Sequence, residues 1–239
     1  MVFCDFLTRW PSLEKARRAR CATIEKFFKA ANCRYQSVID DRIETIQNGV
    51  PLTNDPAVIN PAMMMVAGLV RQLKQLLVQI DTFDNAIKKL YVSHADVEIY
   101  RSLPGCGSVY GPRLLVAMGS DRERYDDASG VAKYAGIAPV VERSGNKEWI
   151  HWRWSCPKFL RQSFVEWSGE TIRRSFWAKA YYDQQKKKGK SHQAAIRSLA
   201  FKWIRIIFRL WKDRTLYDES KYLMALQKRG SSLLENIAL

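Results

Sequence analysis

The sequence predicts a mainly helical protein with one small β-hairpin, and three observations carry that prediction. Apolar residues recur in a 3-4 spacing from Val66 to Leu90, the pattern of a helix with one apolar stripe. A Pro104-Gly105-Cys106-Gly107 turn separates two helix-forming segments. One stretch, residues 140–154, alternates in side-chain character with the period of a strand.

The elements follow in chain order. Residues 12–48 divide into short helices. Ser12, after Pro11, caps a run from Leu13; Thr23 caps a second, with Ile24, Phe27, Phe28 and Ala31 on one face. Val38, Ile39, Arg42, Ile43 and Ile46 mark a third. Residues 49–60 form a linker with Pro51 and Pro56. Asn60-Pro61 then starts a long helix, a cap followed by proline at the first helical position. Within it Val66, Leu73, Ile80 and Ile87 lie seven apart, and Leu69, Leu76, Phe83 and Leu90 repeat that spacing three residues on. β-Branched residues at most of the first set and leucine at most of the second suit a parallel two-stranded coiled coil. Val70 and Leu77 widen the stripe, so a long helix packed inside its own domain fits as well.

The segment 94–119 reads as a helix-hairpin-helix. Gly105 and Gly107 let the backbone reach φ > 0 and keep side chains off the turn, presenting amides to a phosphate at the start of the next helix. A helix pair that only packs on itself is the alternative. Residues 121–127 form a charged loop, and 128–134 a short helix ended by Gly136. Val140 to Arg143 enter a turn at Ser144-Gly145-Asn146-Lys147, and residues 148–154 leave it. On the return strand Ile150, Trp152 and Trp154 share one face and Trp149, His151 and Arg153 the other. Ser155 caps a long helix containing Leu160, Phe164, Trp167, Ile172 and Trp177, broken at residues 186–190. Ser191 opens another, with Ala195, Leu199, Trp203, Ile207 and Leu210 inward and Lys202, Arg205, Arg209 and Lys212 nearer its polar side. The expected organisation is a short-helix region and linker over 1–60, a coiled-coil helix over 61–92 and a C-terminal domain over 93–239.

Charge points to a polyanion. The net charge is +15, and it is uneven: residues 140–239 hold 21 Lys and Arg against 9 Asp and Glu, whereas residues 1–139 hold 18 against 15. A basic second half beside a near-neutral first half suggests a nucleic-acid-binding domain joined to a scaffold. No apolar run approaches membrane-spanning length, so no membrane partner is expected. The five scattered cysteines form no C-x-x-C pair and read as reduced, intracellular thiols rather than a disulfide framework or a zinc site. The three histidines have no metal-ligand spacing. Asp121, Glu123, Asp126 and Asp127 are close in sequence but sit in a charged loop, so no metal site is expected.

The residue whose setting invites chemistry is Ser144, followed by Gly145 and flanked by Arg143 and Lys147. A serine that attacks a phosphodiester needs an exposed hydroxyl and cations to stabilise charge on the phosphate. Arg143, Lys147, Arg153, Lys158 and Arg161 are near enough in sequence to serve, although Ser-Gly in a turn is most often only a turn. Trp149, Trp152 and Trp154, interleaved with Arg153, suit base stacking or a core face equally.

The ordered motifs Tyr134-Ala135-Gly136-Ile137-Ala138-Pro139, Glu142-Arg143-Ser144-Gly145, Trp149-Ile150-His151-Trp152-Arg153, Pro157-Lys158-Phe159-Leu160-Arg161-Gln162 and Leu199-Ala200-Phe201-Lys202-Trp203-Ile204-Arg205 resemble a bacterial insertion-sequence transposase family. The family is the one named for elements one-ten, one-sixteen and nine-oh-two, and the resemblance covers residues 98–234. It implies DNA recombination for transposition, guided by a structured RNA, in the bacterial cytoplasm at the nucleoid. Ser144 is implied as the catalytic nucleophile and a homodimer or higher oligomer as the working form, with element-end and target DNA as partners. The family also carries a RuvC-like domain whose acidic residues hold divalent metal. That domain is not in this sequence, so the chain is expected to be a C-terminal fragment, with no cofactor of its own. A catalytically inactive dimeric DNA- or RNA-binding module is the rival expectation.

Overall fold

A computed structural model describes residues 1–233 and divides the chain into two compact units, Met1–Asn85 and from Ala86 on. As expected, the architecture is mainly helical, with a single two-stranded antiparallel sheet among the described residues.

The first unit contains α1 (Val2–Arg9), α2 (Leu13–Arg17), α3 (Cys21–Ala30), α4 (Gln36–Asn48) and most of α5 (Pro56–Val92). Its core is Trp10, Ala16, Ile24, Phe28 and Ile39, with Phe6 stacked on Phe28 at 5.8 Å. Ser12 caps α2, its hydroxyl accepting the Lys15 N–H. Two expectations are corrected here. Thr23 is no cap, because α3 begins two residues earlier at Cys21. The long helix starts at Pro56 rather than Pro61: the Asp55 carboxylate accepts the Ala57 N–H at 2.8 Å, and the helix continues through Pro61. Both prolines follow a capping residue, and the earlier pair is the one used.

On α5 the flank of the stripe, not its centre, faces the first unit's own helices. Val70 is buried and Leu77 half-buried, and Lys74 pairs with Asp5 of α1 at 2.6 Å. Leu69, Leu73, Leu76, Ile80 and Phe83 remain 43–69% exposed.

The second unit holds α6 (Val97–Arg101), α7 (Tyr110–Met118), α8 (Ala128–Tyr134), β1 (Val140–Ser144), β2 (Lys147–His151), α9 (Lys158–Thr171), α10 (Phe176–Lys187), α11 (His192–Asp213) and α12 (Glu219–Lys228). The central helix is α11, which packs on α8, α9 and α10, while α7 packs on α6 and α9. Ser191 caps α11, and Ala195, Leu199, Trp203, Ile207 and Leu210 are all buried, as the spacing predicts.

Four of the chain's eight tryptophans are fully buried in this core. Trp203 lies 4.8 Å from Trp167 and 4.6 Å from Trp177, ring centre to ring centre. Each indole N–H finds an acceptor: Thr171 Oγ1 for Trp203, Pro104 O for Trp167, Tyr217 Oη for Trp177 and Gly119 O for Trp211. These bonds make burial of the polar indole edge affordable and fix each ring's orientation.

Three further expectations are corrected. The return strand stops at His151, so Trp152, Arg153 and Trp154 are irregular. Ser155 caps nothing, since α9 begins at Lys158 after Pro157. The expected single helix over residues 155–186 is two, because Ser175 caps a new one by accepting the Ala178 N–H. The Glu219 carboxylate accepts from both the Ser175 hydroxyl at 2.9 Å and the Phe176 N–H at 2.8 Å, a tertiary contact that local sequence cannot reveal.

Candidate nucleic-acid interface

The hairpin is built from its turn. Gly145 has φ +58°, whereas Asn146 does not enter the left-handed region, as a two-residue turn with glycine first requires. Ser144 therefore pairs directly with Lys147, followed by Arg143 with Glu148 and Glu142 with Trp149. The period of two then sorts the side chains. Ser144, Glu142, Lys147, Trp149 and His151 occupy one face, and Arg143, Glu148 and Ile150 the other. Nearly the whole hairpin is exposed.

The predicted basic residues consequently separate. Lys147 lies opposite Ser144 on its face. Arg143 lies on the reverse face and pairs with Glu148 at 2.7 Å. Of the two cations that flank Ser144 in the sequence, strand register puts Lys147 on its face and Arg143 on the other.

At the base of the hairpin, Arg153 donates to Ala138 O at 3.4 Å. Arg161, from α9, donates to the carbonyls of Arg153 and Trp154 and lies 4.7 Å from the centre of the Trp152 ring. Arg197, from α11, lies 4.0 Å from the same ring. Burial, and then the nearby Arg161 charge, lower the Arg197 guanidinium from its ordinary value. Trp152 thus meets two cations that have no carboxylate partner among the described residues. Arg197 was missed by sequence reasoning. Its signal was a cation beside the inward positions Ile196, Leu199 and Ala200. Lys158 is exposed at the first position of α9.

The Gly105 turn is a packed corner. Gly105 has φ +71°, and a Cβ there would meet Arg174 Cδ at 3.1 Å; Gly107 does not adopt positive φ. The Cys106 N–H is bonded to Leu103 O, and Pro104 O accepts the Trp167 indole. Helix α7 starts only at Tyr110, so neither glycine lies at its N-terminus.

Among the described residues no three His, Cys, Asp or Glu side chains converge on a metal position. Asp127 caps α8 by accepting the Gly130 N–H, and Asp121 accepts the Glu123 N–H.

Residues 97–183, from the start of α6 into α10 and including the whole hairpin, match the model of the transposase IS116/IS110/IS902 family. Over this segment the chain is similar to that transposase family. Its relatives share sequence well beyond that segment. A mini-circle transposase candidate for IS117 of Streptomyces coelicolor is 28% identical over 216 residues, 90% of this chain and 52% of the relative. An uncharacterized 43.6 kDa protein of insertion element IS110, also from Streptomyces coelicolor, is 27% identical over 87% of this chain and 50% of its own length. An uncharacterized 42 kDa protein of insertion element IS900 from Mycobacterium paratuberculosis is 29% identical over 65% of this chain and 39% of its own length. The chain spans about half the length, or less, of these relatives. The matched segment contains Gly105, Gly107, Arg143, Ser144, Lys147, Arg153, Lys158 and Arg161; Arg197 lies beyond it.

Proposed function

We propose that this chain works in DNA transposition, with Ser144 as the nucleophile toward a DNA phosphodiester. The observation that carries the reading is the family likeness over residues 97–183, within which an exposed serine stands opposite a lysine at a two-residue turn. In the proposed step Ser144 Oγ bonds to phosphorus as the bond from phosphorus to a deoxyribose oxygen breaks. The serine proton passes to water, and the departing oxygen takes up a proton. Attack by a hydroxyl of another strand reverses the step and rejoins the DNA. Lys147, on the same face, neutralises charge building on the phosphate oxygens. Arg143 and Lys158 meet the flanking backbone, while Arg153 and Arg161 hold the hairpin to α9.

The partners proposed are element-end and target DNA, a guide RNA and a second copy of the chain. The exposed stripe of α5 supports self-association in the 3-4 register of a coiled coil. The resemblance also implies divalent metal on a RuvC-like domain. The acidic residues described here do not form such a set, and no step is routed through it.

A second reading, a binding module without catalysis, is favoured by one observation: among the described residues nothing hydrogen-bonds the Ser144 hydroxyl to take its proton. A trapping assay separates the two. The chain is mixed with element-end DNA and flanking RNA, with and without a separately expressed RuvC-like domain, then denatured. An adduct lost in Ser144→Ala supports catalysis; binding without an adduct in either mixture supports the module.

A further inference from the structure

Helices α11 and α12 enclose a groove of about 620 Å³ that lies outside the family-matched segment. Lys202, Arg205 and Arg209 line it from α11, and their spacing of three and four places them on one helix face. Lys221 and Arg229 line it from α12 and its C-terminal cap. Among the described residues the one acidic side chain in the lining is Asp218, which caps α12 by accepting the Lys221 N–H and lies 3.8 Å from the Lys221 ammonium. Among the described residues, Lys202, Arg205, Arg209 and Arg229 form no ion pair.

Such crowding of like charge is unfavourable unless an anion joins it. Lys202 registers the crowding: burial first, then Arg205 and Lys188, lower its ammonium from the ordinary value. The Tyr222 hydroxyl is raised by burial while Arg205 and Arg229 pull it down, so both walls of the groove act on one phenol. Beside the cations the lining carries apolar surface, with Ile206, Leu216 and the Tyr222 ring.

We propose that this groove cradles a single-stranded stretch of nucleic acid, its phosphates on the cationic residues and its bases on the apolar and tyrosine surface beside them. The proposal rests on the nucleic-acid reading above and adds a location and a strand state. A duplex presents only its phosphate edge and would leave the apolar surface uncovered. A single strand has π-faces and backbone charge together, the combination that sequence-tolerant strand-binding grooves use.

The test compares the full chain with an Arg205→Gln/Arg209→Gln/Arg229→Gln variant, using anisotropy of labelled 20-nucleotide DNA and RNA single strands and a 20-base-pair duplex, each across a salt series. Circular dichroism checks that the variant is folded. Single-strand binding should fall at least tenfold. The salt slope should drop by about 2, since each phosphate contact to a single strand contributes about 0.7. An Arg205→Lys/Arg209→Lys/Arg229→Lys variant, which keeps the charge, should restore the slope. Loss in the DNA arm, the RNA arm or both supports the cradle and names the strand it takes. An unchanged slope in both single-strand arms overturns it, as does an equal loss for the duplex. A failed cradle with an intact Ser144-dependent adduct would leave the catalytic reading standing, and the reverse result would leave the cradle standing.

Discussion

The two longest helices make opposite use of the same pattern. In α11 the inward stripe is covered completely: Ala195, Leu199, Trp203 and Ile207 have no exposed surface. In α5 the stripe from Leu69 to Phe83 stays largely bare, and only its flank touches the first unit's core. Amphipathic periodicity states that a helix has a side to cover. It does not state whether the same chain covers it. A stripe covered within the chain is scaffold, and a bare one is open to a partner, the role proposed above for α5. The hairpin belongs with the bare surfaces, since it offers Ser144 and Lys147 to solvent from a base clamped into the α9–α11 core.

The comparison can be broken most forcefully on the covered side. Trp203→Ala should destabilise the second unit by about 3–5 kcal/mol, as large aromatic deletions from close-packed cores do. It also orphans Thr171 Oγ1 as an acceptor, and urea unfolding followed by circular dichroism reads the loss. A near-neutral result would mean that α11 is not the centre of the unit.

The next test is alkaline. Cys106 lies in the same core, and burial pushes its thiol up to about 12. The unfolded thiol titrates near about 8.5, so this contribution to stability is complete below that pH. It declines between there and the folded value as the unfolded state loses its proton first. At pH 8 iodoacetamide should modify exposed Cys21 and spare Cys106 until the chain unfolds. Modification of Cys106 at the rate of Cys21 would contradict a closed core.

On the bare side the expected stability effects are small and the assembly effect is large. Leu76→Glu, at a position 54% exposed, should change unfolding by no more than about 0.5 kcal/mol while abolishing self-association in sedimentation. A large stability loss would show that the stripe is covered within the chain. Smallest of all, Ser144→Ala should leave stability within about 0.5 kcal/mol and act only on the DNA adduct.

The same contrast explains how much was legible in the sequence. Local signals read well. Ser12 and Ser191 cap the helices they were expected to cap, the α11 stripe is buried residue for residue, and the turn at Gly145 lies within the four residues named for it. Signals that depend on distant partners did not. Helices α9 and α10 separate where Glu219 binds Ser175 and Phe176 from 43–44 residues away. Helix α12, which supplies that carboxylate and one wall of the basic groove, was not anticipated, and neither was α1.

For the candidate site, sequence named the serine and its basic company but not their sides. Arg143 precedes Ser144 directly and Lys147 follows across the turn, and pleating puts the first behind it and the second beside it. Trp152 was left between stacking and core. The structure gives it a third role as the ring that Arg161 and Arg197 both approach, the latter from an element 45 residues along. Gly105 and Gly107 marked a real turn, yet its carbonyl and amide partners lie within the protein.

The most direct test of the central claim is to locate the bond. The adduct formed with element-end DNA would be trimmed with nuclease, digested with trypsin and sequenced by mass spectrometry. Cleavage after Arg143 and Lys147 isolates Ser144-Gly145-Asn146-Lys147 as a tetrapeptide. The account predicts a nucleotide mass on that peptide, carried by Ser144. A nucleotide on any other hydroxyl, with this peptide unmodified, would contradict it.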